Sequence, residues 1–239
     1  MTLLSSSAPN GRHAVGAETA DDNGELSEYN PLDYRNLTRN IVQELMTRGP
    51  YTLPLQDRFP GAGVYALFYL GDFPPYRDIR SPDVSQPIYV GKAVPEGARK
   101  GQRSGARAAG RELHTRIGQH VGSIRDAENL RIEDFLCRFL VVTPLWIIMA
   151  ERFLIEHYRP IWNVCLEGFG LHNPGSGRHQ GEIAWWDALH PGRPWAARLR
   201  QTRTATQAEH RLARFLGSQE VAEQMTLWAI QALDELSKT

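Results

Sequence analysis

The sequence predicts an α+β fold: a small central antiparallel three-stranded sheet flanked by helices, with an N-terminal helix and a C-terminal extension. Three short β-type runs carry the prediction, "GVYALFYL" (Gly63 to Leu70), "PIYVGKA" (Pro87 to Ala93) and "FLCRFLVV" (Phe135 to Val142). Segments of helical spacing precede the first run, separate the second from the third, and follow the third, an order typical of α+β chains. With 239 residues, 41% of them apolar, the chain is long enough to bury a core.

Residues 1–29 are rich in Ser, Gly, Ala and acids, show no periodicity, and read as a disordered acidic tail. "NPLDYRNLTRNIVQELMTRGP" predicts a helix of about four turns, with Asn30 as its cap, Pro31 in the first turn and Gly49-Pro50 as its stop. The first two β runs are expected to pair as a hairpin across the turn-rich "GDFPPYRDIRSPDVSQ". "VPEGARKGQRSGARAAG" (94–110) has little apolar content and reads as an exposed basic loop. "RELHTRIGQHVGSIRDAEN" then predicts a helix burying Leu113, Ile117, Val121 and Ile124. Thr143-Pro144 opens a last core helix that ends before Pro160. The resulting division is a tail over 1–29, a helix and lead-in over 30–60, a core over 61–165 carrying the basic insertion 94–110, and a loop-rich, then helical extension over 166–239. Within the extension, the Gly-, His- and Trp-dense stretch after Leu166 is too long for an ordinary connection and is expected to be functional.

Lys plus Arg balance Asp plus Glu at 27 each, yet the charges are segregated. Residues 1–34 hold Arg12 against six acids, whereas residues 92–125 hold eight basic residues against Glu96 and Glu112. A neutral total thus contains a basic segment able to meet a polyanion, or simply a solvated loop. Cys137 and Cys165 lie far apart in no metal or redox spacing and are expected in the core. No apolar run of about 18 residues and no signal-type N-terminus occur, so the expected location is cytoplasmic, without a membrane partner. No H-E-x-x-H, P-loop, nucleophile elbow or complete dinucleotide fingerprint is present.

What remains is a set of polar residues in unusual places. Glu151 falls on the same stripe as Ile147, Leu154 and Tyr158 of "IIMAERFLIEHYRPIWN", where an unpaired carboxylate is costly. It therefore needs an ion-pair partner, a metal or an open cleft. Tyr65 and Tyr89 lie in adjacent strands as Gly63-Val64-Tyr65 and Tyr89-Val90-Gly91. Arg116 and His120 share a helix face, and Asn163 follows the Glu151 helix. Taken singly, each has an ordinary structural use.

In this order, the combination resembles the GIY-YIG nuclease family over about Ala62 to Asn163, with Val for Ile in both tripeptides and an apparent insertion at 71–87. "GFGLHNPGSGRHQG" and "WDALHPGRPWA" further resemble the C-terminal part of the type II restriction endonucleases of that family that cut CCGCGG. The resemblance implies a Mg²⁺-dependent endonuclease acting on double-stranded DNA, with one divalent cation per site, Mn²⁺ able to substitute, and Glu151 as the protein ligand. It further implies that Arg116 holds the phosphate, that Tyr65 handles the attacking water with His120 taking the proton, that Tyr89 positions the reactants, and that Asn163 braces the site or holds a phosphate oxygen. Lys92, Arg99, Lys100, Arg103, Arg107 and Arg111 are the first candidates for DNA contact, followed by Arg178, His179, Arg193 and Trp195. A palindromic target implies a homodimer and, in the host, a protecting methyltransferase that is not a bound partner. The rival readings are a repair or nicking nuclease of the same fold and a non-catalytic DNA-binding module.

Overall fold

A computed structural model describes residues 30–95, 110–173 and 181–219. The chain order is α1 (Tyr34–Met46), β1 (Tyr51–Thr52), β2 (Gly63–Tyr69), β3 (Tyr89–Ala93), α2 (Glu112–Asp126), β4 (Phe135–Val141), α3 (Ile147–Tyr158), α4 (Ile161–Val164), α5 (Trp185–Leu189) and a helix α6 over 205–219. The strands form one antiparallel sheet in the order β1-β4-β2-β3. The sheet therefore has four strands, not three. β1 is only two residues long and exposed, so it has no pattern to read. It is held by pairing with β4 and by stacking of Tyr51 on Phe139 at 4.8 Å.

β2 is buried at every position because both faces of the sheet are covered. The two-residue alternation of a strand sends Val64, Ala66 and Phe68 to a layer made by α1 and α3, with Leu45, Ile147, Ala150 and Leu154. Tyr65, Leu67 and Tyr69 point to the opposite layer, which contains Leu113, Ile117 and Ile124 of α2. All four expected buried positions of α2 are buried, and His120 joins them. Both cysteines lie in the core.

Asp33, not Asn30, caps α1 by accepting from Arg35 N at 2.8 Å. Asn30 instead closes a turn onto Leu32 N, so the helix begins later than Pro31 suggests. The buried Arg138 of β4 ties the end of α1 to the sheet through the carbonyls of Met46 and Arg48, at 2.8 and 2.7 Å.

The division at 165/166 does not separate two cores. Leu166, Phe169, Trp186, Leu189, Ala208 and Leu212 belong to the same cluster as Tyr65 and Ile117. Nor is 71–87 a loose insertion: its Tyr76 is fully buried and bonded to Trp162 Nε1 at 2.8 Å and to His190 Nε2. His190 Nδ1 meets Asn129 Oδ1 at 2.8 Å, and burial pushes the imidazole down to about 3. That neutral polar chain joins the β2–β3 connection, α4 and the extension. No helix among the described residues is long and apolar enough to cross a membrane. The acidic tail, most of the basic insertion, Arg178, His179 and the end of the C-terminal helical segment lie outside the described residues.

Candidate active site

β3 is a free edge of the sheet, and the site wraps around it. Tyr89 and Lys92, three apart on the strand, point to opposite faces. Tyr89 belongs with Tyr65 and α2, whereas Lys92 meets α3. One cleft is lined by Tyr89, Lys92, Arg116, Gln119, Glu151 and His172, with Arg111 on its rim.

The motif glycines are dictated by contact. A Cβ on Gly63 would lie 2.0 Å from the carbonyl oxygen of Leu140 on β4, and a Cβ on Gly91 would lie 2.4 Å from the Tyr65 hydroxyl across the ladder. The first obstacle is backbone and cannot move aside; the second is a side chain. Gly63→Ala should accordingly cost more stability, about 1–3 kcal/mol from overpacking. Gly91→Ala should show its larger effect on whatever Tyr65 does. Urea midpoints and cleavage rates of the two variants check this, and a larger stability loss for Gly91→Ala would contradict it.

Tyr65 has no exposed surface, and its hydroxyl bonds His120 Nε2 at 2.6 Å. Burial, reinforced by Tyr89, raises the Tyr65 phenol well above its ordinary value. Burial, with Arg116 adding, lowers the His120 imidazole well below 6.5. Both groups are thus neutral near pH 7, as a hydrogen-bonded pair in an apolar layer should be. Phe169 stacks on the His120 ring at 4.4 Å and meets Tyr89 edge-on at 4.9 Å. Tyr89 forms the wall between this pair and the cleft, and burial raises its phenol too.

Arg116 points into the cleft from α2. Its guanidinium donates to Gln119 Oε1 at 3.0 Å, to the Gly170 carbonyl at 2.9 Å and to His172 Nε2. Glu151 resolves the anomaly of its stripe by facing the cleft's edge, with its side chain 18% exposed and one oxygen paired with Lys92 Nζ. Among the described residues, no group of three or more His, Cys, Asp or Glu side chains could hold a metal. A single carboxylate in an open cleft still fits Mg²⁺, which takes one or two carboxylates beside substrate oxygens and water. Glu151 Oε1 is the oxygen the lysine does not use.

Two expectations change. Asn163 accepts from Val90 N and donates to Val90 O, both at 2.8 Å, so its amide pairs with the outer edge of β3. Of its two expected roles, bracing is the one these bonds perform. Arg193 is buried, with side chains in its ion pair to Asp187 only 2% and 1% exposed, and cannot be a DNA contact. Trp195 is stacked against it, with the Arg193 guanidinium carbon 4.6 Å from the ring centroid. Lys92 and Arg111 line the cleft; Arg99, Lys100, Arg103 and Arg107 lie outside the described residues. His172 and Gln119 were not singled out by sequence reasoning. His172 sits in the Gly- and His-rich stretch expected to be functional, but nothing there distinguished it from its neighbours.

A family model described as the Eco29kI GIY-YIG domain matches residues 57–216, about two thirds of the chain. The match spans strands β2 to β4, the cleft and most of the described extension. No curated protein matches the chain.

Proposed function

We propose, since the chain belongs to the Eco29kI GIY-YIG restriction endonuclease family, that it is a type II enzyme hydrolysing double-stranded DNA at a GC-rich palindrome, CCGCGG. The observation that carries this reading is the convergence of Glu151, Lys92, Arg116 and Tyr89 on one cleft, with the Tyr65–His120 pair behind it.

Glu151 would hold one Mg²⁺, or Mn²⁺ in its place. When bound, the cation supplies Lewis-acid stabilisation of the leaving 3′ oxygen. Arg116 holds the non-bridging oxygens as negative charge builds, since its planar fork matches phosphate. Lys92 neutralises Glu151 before the substrate enters and contacts phosphate afterwards. Tyr65 donates to His120 Nε2; because Tyr65 is fully buried behind Tyr89, its oxygen accepts from the attacking water only where the Tyr89 ring gives way. The water proton thus passes to the phenol as the phenol proton passes to the imidazole.

Basic residues serve recognition. The ends of the insertion, Val94, Pro95 and Gly110, border the cleft, and the insertion's Arg99, Lys100, Arg103 and Arg107 are the residues proposed to contact DNA. Arginine suits guanine edges, and phosphate contacts add affinity without sequence preference. A homodimer would present one such cleft to each strand of the palindrome.

Incubation of the protein with plasmid DNA, with and without Mg²⁺, followed by mapping of the ends, tests the proposal. Discrete Mg²⁺-dependent fragments ending within CCGCGG are expected. Cleavage only at branched or nicked DNA would favour a repair nuclease. Binding without cleavage would leave a DNA-binding module.

A further inference from the structure

The extension's buried ion pair is wired to the cleft. Arg193 donates from Nε and Nη2 to the two oxygens of Asp187, both at 2.6 Å, and lies 4.5 Å from the Trp186 ring centroid. Its remaining hydrogen bonds run to one short stretch of backbone. The carbonyls of Gly168, Phe169 and Leu171 accept from it at 3.0, 3.1 and 3.2 Å. The carbonyl among them that Arg193 does not take, Gly170, accepts instead from Arg116 at 2.9 Å. The side chains of the same stretch complete the wall: Phe169 stacks on His120, and His172 bonds Arg116. A Cβ on Gly170 would lie 2.8 Å from the Tyr89 hydroxyl, so the backbone itself is seated against that ring.

We infer that Arg193 is a positioning residue for the nuclease reaction: paired with Asp187, it anchors residues 168–172 as the second wall of the cleft and thereby orients Arg116, His120 and Tyr89. Stability alone is a weak reason for this pair, because a buried ion pair replaced by apolar residues of similar volume is often neutral or better. Fixing three carbonyls and a carboxylate at once needs the five donors of a rigid guanidinium. Lysine has three donors on one nitrogen and cannot span them. The stretch that Arg193 holds reaches both the phosphate-binding arginine and the proton-accepting histidine proposed above, and the inference rests on that assignment.

Two full-length variants test it: Arg193→Lys, and the uncharged pair Asp187→Leu with Arg193→Met, which removes both charges together. The first readout needs no DNA and no activity. In wild-type protein the Arg116 guanidinium and His120 ring should give dispersed ¹⁵N side-chain NMR signals. In both variants they should shift or broaden while the backbone spectrum stays folded. The second readout is single-turnover cleavage of plasmid DNA, expected to fall about 10²-fold, as misplacement of about 1 Å can cause. In an Arg116→Ala background the same changes should cost clearly less than in wild type, because part of their effect runs through Arg116. Unchanged Arg116 and His120 signals in a folded variant, or losses that multiply fully with Arg116→Ala, would overturn the inference. Shifted signals in a protein whose wild type cuts no DNA would instead reject the nuclease reading and leave the link from Arg193 to Arg116 standing.

Discussion

Replacing Glu151 with glutamine should lower single-turnover cleavage by at least about 10³-fold, roughly 4 kcal/mol of transition-state stabilisation, while DNA affinity without divalent ions changes little. Glutamine keeps the volume and removes the charge. The only partner the carboxylate has among the described residues is Lys92, and their side chains are 33% and 18% exposed. A partly buried pair of this kind holds the resting site together and supplies no transition-state term of its own, so its loss does not account for such an effect. The effect therefore separates a metal ligand from a salt-bridge partner. If Glu151 only balanced the lysine, the double variant Lys92→Met, Glu151→Gln would cleave no worse than Lys92→Met alone; that result would end the metal assignment, and a double variant far less active than Lys92→Met supports it. Isothermal titration of Mg²⁺ into the protein–DNA complex gives an independent check, with measurable binding expected to vanish in Glu151→Gln.

The elements easiest to read in the sequence were those whose position is set by local pattern. β2 alternates between two apolar layers, α2 carries a regular buried stripe, and Glu151 stood out because it broke such a stripe. The family motifs then brought Tyr65, Tyr89, Arg116 and His120 together, because strand pairing and helix periodicity put them on one side of the sheet. What escaped depends on contacts between distant segments. β1 exists only because β4 offers an edge. Arg193 looked like a surface cation because nothing nearby in sequence announces that Asp187, Trp186 and the carbonyls of Gly168, Phe169 and Leu171 enclose it. Asn163 and His172 belong to the same class: an amide can brace a strand or hold a phosphate, and the choice is made by where β3 leaves its unpaired edge.

Tyr65→Phe and His120→Gln should each slow the chemical step by about 10²–10⁴-fold, the usual contribution of a positioned proton acceptor. The double variant should be little worse than either, because residues acting as a unit lose their effect together. The phenol alone is a poor base: burial holds it neutral well above pH 10, so it serves only by passing its proton on. His120 Nε2 is 2.6 Å away and can take that proton only while the ring is neutral. As pH falls, the ring in the free enzyme gains its proton only below its depressed value, well under 6.5. The acidic limb of kcat/KM should lie below 6.5, with no loss between pH 6.5 and 8 from this group, and should disappear in His120→Gln. A limb centred at 6.5 or above, or one unchanged in that variant, would remove His120 from the relay. Depressed basicity does not disqualify the ring as the acceptor. After burial, Arg116 is the largest cause of the shift, ahead of His172 and Arg193, and a phosphodiester held by Arg116 offsets that charge when the proton must move.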